Sequence, residues 1–161
     1  MLIASPAPSR SRIVSLPEVL NRHLSASAAG DISSVAAYID QGAALVDRPA
    51  LHALQRLWVP LHAKIEQLDV GTLLRARLEL LATFCKEASL DGANGTVAHR
   101  EAAFALLYFL KGFDRIPDTV PEVGLLDDAI IVQIVLQRHD AVLRAHWRRH
   151  RRAWPATCEQ D

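Results

Sequence analysis

The stretch that decides the fold reads Leu106-Leu107-Tyr108-Phe109-Leu110-Lys111-Gly112-Phe113-Asp114-Arg115-Ile116-Pro117-Asp118-Thr119-Val120-Pro121-Glu122-Val123-Gly124-Leu125-Leu126-Asp127-Asp128. It joins one apolar helical run to another, since Ala129 to Val132 continue the pattern beyond it. Pro117 and Pro121 stiffen the connection. Asp114, Asp118, Asp127 and Asp128 fall where short carboxylates cap turns or face the positive end of a helix. The expected element is a rigid, acid-lined helix-loop-helix, with its loop from Gly112 to Gly124 and the last helix starting near Leu125 and running toward Ala153.

Elsewhere in the chain helical start and stop signals recur, and almost nothing reads as strand. Upstream, a helix spans about Thr96 to Lys111, and Thr72 opens another that closes at the Asp91-Gly92-Ala93-Asn94-Gly95 stretch. Leu51, Leu54, Leu57, Trp58, Leu61, Ile65 and Leu68 keep helical spacing, but Pro60 removes an amide and predicts a kink or a division there. Ala43 to Pro49 reads as a linker. Asp31 caps a helix through Ile32, Val35, Ala36 and Ile39 that stops at Gly42, and Ser15 with Glu18 makes a capping box for an earlier one ending near Gly30. The expected fold is therefore all-α: a compact bundle of about six helices with a rigid Pro/Asp-rich loop before the last one. Residues 1–14 read as a flexible leader, 15–70 as N-terminal helices packing on the core, 71–154 as the main helical domain and 155–161 as a tail.

The pattern Asp114-x-Ile116-Pro117-Asp118-x-x-Pro121-x-x-Gly124-x-x-Asp127-Asp128 resembles the YkvA-like family, a domain of unknown function found chiefly in bacteria, over about residues 72–140. The sequence departs from the family pattern at Gly112-Phe113 and at Arg115. The resemblance implies a small helical domain and carries no established activity.

Composition narrows the function classes. The 161 residues suit one domain with a small helical attachment; half are hydrophobic and 22% charged, so a real core can form. Lysine plus arginine equals aspartate plus glutamate at 18 each, so any nucleic-acid or membrane partner needs a local patch. The longest uncharged apolar runs fall well short of the ~20 residues of a spanning helix, and Cys85 and Cys158 lack C-x-x-C spacing; a cytoplasmic protein is expected.

Three chemical candidates arise. Asp114, Asp118, Asp127 and Asp128 could hold a divalent cation such as Mg²⁺ or Ca²⁺, the competing reading being helix capping. His139, His146 and His150 fall on one flank of the last helix, and the i, i+4 pair His146/His150 has zinc-chelating spacing, although no Cys or H-E-x-x-H pattern accompanies it. Arg138, Arg144, Arg148, Arg149, Arg151 and Arg152 cover the other flank against Asp140 alone, a local charge of +5 that the rest of the chain must balance. Leu136, Leu143, Trp147 and Trp154 form an apolar stripe between them. No nucleophile arrangement stands out, and Cys85 reads as a small hydrophobe.

The reading that follows is a non-enzymatic bacterial protein-binding module: an immunity-type protein that neutralises a toxin or enzyme, or a small regulatory adaptor, contacting its partner through the C-terminal arginines and needing no resident cofactor. The alternatives are a divalent-metal-dependent enzyme on the acidic loop, and a nucleic-acid or membrane-surface binder on the arginines.

Overall fold

The computed structural model describes residues 16–25, 32–89, 95–115 and 121–159, with the side chains of 25, 32, 33, 111–115 and 121–126 also left outside the description. Eight α-helices and no strand occur among the described residues: α1 (Glu18–Ser25), α2 (Ile32–Ala44), α3 (Arg48–Arg56), α4 (Trp58–Glu66), α5 (Leu73–Ala88), α6 (Val97–Arg115), α7 (Pro121–Arg138) and α8 (Asp140–Arg149). A 3₁₀ turn, Ala156–Cys158, follows. The all-α expectation holds, and the count exceeds six because two long runs are divided. The leader, the Ser15 half of the capping box, Gly30, the Asp31 cap and the turn at 91–94 lie outside the described residues.

Helix α6 is the axis of the bundle and touches α2, α3, α4, α5 and α7. Its residues Ala102, Ala103, Phe104, Ala105, Leu106, Leu107 and Phe109 are all buried, so it is apolar almost all round, as a central helix must be. Gly42 shows how tightly α2 lies on it. A Cβ added there would stand 2.2 Å from Phe104 Cε1. Gly42 is thus a point of close approach rather than the expected stop, and α2 runs past it to Ala44.

The prolines act as boundaries. Pro60 lies at the third position of α4, and its ring would collide with the carbonyl of Arg56, the last residue of α3; the run divides at Leu57 for that reason. The linker contracts to Leu45–Asp47, because Asp47 caps α3 by accepting from Ala50 N at 3.0 Å and Pro49 sits in the first turn. Thr72 caps α5 as expected, accepting from Arg75 N at 3.3 Å. Helix α6 passes Gly112, which costs only about 1 kcal/mol relative to Ala, and ends at Arg115; Ile116 precedes Pro117 and is disfavoured in the helical region. Pro121 then opens α7, four residues earlier than expected, because its missing N–H is no loss at a first position. The expected loop of residues 112–124 is therefore helical through Arg115 and again from Pro121, and residues 116–120 lie outside the described residues.

The last helix is also two. The chain breaks at His139 (φ −117°, ψ 23°), with no Pro or Gly to mark the site. The break coincides with convergence on buried Glu101: Arg138 donates to Glu101 Oε1 at 3.2 Å and to Asp40 Oδ1 at 2.7 Å, and His139 Nε2 lies 3.1 Å from Glu101 Oε1. Leu136, Leu143 and Trp147 bury as the stripe requires, while Trp154 lies beyond α8 and reaches Trp147 with ring centroids 5.8 Å apart.

Candidate functional site

The functional residues gather where α8 ends. Arg151 takes the left-handed conformation (φ 57°), Arg151 N donates to Arg148 O at 2.9 Å and Arg152 N to Trp147 O at 3.0 Å. This is a Schellman cap built on an arginine where glycine is usual, and the non-glycine residue costs about 1 kcal/mol or more. Its geometric effect is to fold Arg152 back. The guanidinium stacks on Trp147 at 4.6 Å and donates to Glu87 in the last turn of α5.

Glu87 also meets His146, whose Nε2 lies 2.9 Å from Glu87 Oε1. Arg149 approaches His146 Nδ1 at 3.2 Å. Arginine only donates, so Nδ1 is the acceptor and the imidazole carries its proton on Nε2, facing Glu87. His146 is 1% exposed, with Phe84 edge-on at 5.1 Å and His150 at 4.4 Å between ring centroids. Burial acts to raise the Glu87 carboxyl pKa, but the hydrogen bonds from Arg152 and His146 outweigh it and hold it below the ordinary value. The end of α8 thus brings His146 and His150 together as the i, i+4 spacing requires, whereas His139 meets Glu101 and does not join the cluster.

Glu87 was not legible as a partner. One signal was present: an acidic side chain in the last turn of a helix faces the negative end of the dipole, and a cation from elsewhere relieves it.

The six arginines separate into two groups. Arg138 pairs with Asp40 and Glu101; Arg144 holds Asp140 through both oxygens at 3.0 Å and Glu159 at 3.1 Å, while stacking on Trp154; Arg149 and Arg152 belong to the His146–Glu87 cluster. Arg148 and Arg151 are exposed. The +5 segment is therefore largely neutralised by the chain's own carboxylates.

Beside the cluster runs a groove of about 480 Å³ between the N-terminal turn of α6 and α8, lined by Thr96, Val97, Ala98, Val142, Ala145 and Phe84, with His139, His146 and Arg149. Val97 and Val142 are 53% and 49% exposed, unusual for valines in so apolar a setting. The first turn of α6 carries no acidic residue, and Thr96 Oγ1 caps it by accepting from His99 N at 3.2 Å.

The four aspartates are not presented from one loop. Asp114 falls in the last turn of α6 with its side chain outside the description, Asp118 lies outside the described residues, and Asp127 and Asp128 lie within α7. Burial, and then the nearby Asp127 carboxylate, push the Tyr108 phenol pKa up. Asp128 is 4% exposed, and its Oδ1 has no hydrogen-bond partner. Burial pushes its carboxyl up to about 7, with Lys64 pulling down and Asp127 pushing further up. A carboxyl raised in this way stabilises the fold fully below its unfolded value of ~3.9, and that contribution is lost as pH rises through about 7. Asp128→Asn is expected to remove this dependence. Subtracting its stability curve from that of the wild type, by urea melts from pH 4 to 8, should leave a slope of at most ~1.4 kcal/mol per pH unit; a flat difference would contradict the assignment.

Cys85 and His99 line a second cavity of about 290 Å³ with Leu51, Leu54, Trp58 and Ser89. The thiol is not primed for attack: burial pushes its pKa up, and His99 Nδ1 accepts from Gly95 N at 3.0 Å while Cys85 Sγ approaches His99 O at 4.0 Å. His99 thus neighbours Cys85 through its backbone carbonyl and offers the thiol no base. Neither Cys85 nor Cys158 forms a disulfide, and both are buried.

A family model described as "Protein of unknown function (DUF1232)" matches residues 101–134. The match supports a domain of unknown function in the α6–α7 segment, inside the stretch that carries the family resemblance. It spans the acidic residues and excludes α8 with its arginines and histidines. No curated protein and no solved structure matches the chain. Among the described residues no helix is long and apolar enough to cross a membrane.

Proposed function

We propose that this chain is a non-enzymatic protein-binding module, an immunity-type protein or small regulatory adaptor of the YkvA-like kind, that receives an acidic and partly apolar segment of another protein in the α6–α8 groove. The carrying observation is the groove itself: two exposed valines and an apolar floor beside Arg149, His139 and the positive end of α6. Such a lining suits a peptide better than a phosphate backbone, which calls for many unpaired cations or interleaved aromatic rings. Arg148 and Arg151, exposed nearby in sequence, add long-range attraction for an acidic partner. Two cysteines outside any disulfide fit a reducing, cytoplasmic compartment.

The test is selection from a random peptide library followed by anisotropy titration of the winners. Enriched sequences should combine carboxylates with aliphatic residues, and Val142→Asp should weaken them by at least ~10-fold, or about 1.4 kcal/mol. Reversing Arg148, Arg149 and Arg151 to Glu should slow association, with an effect that fades as the Debye length falls from ~10 Å at 0.1 M salt to ~3 Å at 1 M. Binding to arbitrary DNA or RNA with Kd ~10⁻⁴ to 10⁻⁶ M at physiological salt, abolished by the reversal, would replace this reading with a nucleic-acid one.

A further inference from the structure

Glu87, His146 and His150 each offer a ligand atom, and the three atoms lie within 4.8 Å of one another. Two imidazoles one helical turn apart and a carboxylate from a second, well-packed helix are the donor set that borderline divalent ions prefer, and three protein ligands leave a position for water. Metal–ligand bonds of ~2.0–2.2 Å arranged tetrahedrally put donors ~3.3 Å apart, so the three need to close only modestly.

We propose that Glu87, His146 and His150 bind a divalent transition-metal ion, Zn²⁺ foremost, and that Arg152 is the internal cation which stands in for the metal when none is bound. The Arg152 guanidinium neutralises Glu87 in the metal-free fold, and the Schellman turn at Arg151 is what holds it there. Metal binding exchanges that hydrogen bond for a coordination bond while Arg152 keeps its stacking on Trp147. Ligation through His146 Nε2 also moves the imidazole proton to Nδ1, which then faces Arg149 as a donor facing a donor. Both arginines therefore oppose the metal, and removing either strengthens the site. The metal site shares His146 and Arg149 with the groove, but Glu87 and His150 do not line it, so Glu87→Gln and His150→Ala test the metal without altering the groove's lining.

The experiment uses the tag-free full chain stripped with EDTA. Co²⁺ should give visible d–d bands of tetrahedral intensity that Zn²⁺ displaces, and Zn²⁺ should raise the melting temperature reversibly with EDTA. Glu87→Gln and His150→Ala should each weaken Zn²⁺ by more than the ~10–100-fold typical of outer-shell changes. Arg152→Met and Arg149→Gln should tighten it, the glutamine because its carbonyl accepts from Nδ1–H. Absence of the cobalt bands, or unchanged Zn²⁺ affinity in folded Glu87→Gln and His150→Ala, would overturn the proposal. Should a variant fail to fold, zinc K-edge absorption on the wild type decides: two imidazoles with oxygen donors support the site, and a shell with fewer than two imidazoles overturns it.

Discussion

Trp147→Ala is expected to cost about 3–5 kcal/mol, the range for removing a large buried aromatic side chain. The ring is 5% exposed, meets Trp154 edge-on, and forms the platform on which Arg152 lies. Its loss leaves a void beside buried Leu143 and releases the arginine that neutralises Glu87, so a transfer cost and an electrostatic cost add. Arg148→Ala, on the exposed side of the same helix, should move the midpoint by no more than ~0.5 kcal/mol. Urea denaturation of both variants provides the check. A stable Trp147→Ala protein beside an unstable Arg148→Ala one would mean that the helix is turned the wrong way round.

Phe104→Ala should be comparably severe, about 3–5 kcal/mol, because the ring is wholly buried at the centre of α6 and packs near Tyr38 and Tyr108 with centroids 5.6 and 6.5 Å away. The informative measurement is its coupling to Gly42. In the wild type, Gly42→Ala puts a methyl 2.2–2.7 Å from three atoms of the Phe104 ring, and the overpacking is expected to cost about 1–3 kcal/mol. In the Phe104→Ala background the same change should reverse sign, since the obstacle is gone and alanine is favoured over glycine inside a helix by up to ~1 kcal/mol. A double-mutant cycle measures this directly, and additivity of the two changes would contradict the close approach.

Gly42 illustrates why part of the fold escaped the sequence. A glycine near the end of an apolar helical run is read as a stop because its local preference is all the sequence displays. Its actual role is set by a ring more than sixty residues away, which no local rule contains. Pro60, Pro117 and Pro121 were different: their effects come from a missing N–H and a fixed φ within four residues. The division at Leu57, the end of α6 and the start of α7 all follow from those local terms, although the boundaries shift by a few residues from where composition suggested.

The candidate site divides along the same line. The i, i+4 relation of His146 and His150 is a property of one helix and was visible at once. Glu87 joins them from α5, 59 residues from His146, and Arg152 arrives through a left-handed turn at Arg151 that nothing in its residue type announces. The arginine flank was legible as charge but not as surface, because Asp40, Glu87, Glu101 and Glu159 come from distant segments to neutralise it.

Residue type and spacing alone set the helical class, the capped start at Thr72, the proline boundaries and the burial of Leu136, Leu143 and Trp147. Each rests on hydrogen bonds or side-chain periodicity within about one or two helical turns. Which carboxylate meets which arginine, that His139 meets Glu101 while His146 meets Glu87, that Asp114 falls on one helix and Asp127 and Asp128 on another, and that Gly42 is a contact came only with the tertiary packing. Those outcomes depend on the relative placement of helices, which is fixed by the packing of whole faces against α6 and not by any neighbour along the chain.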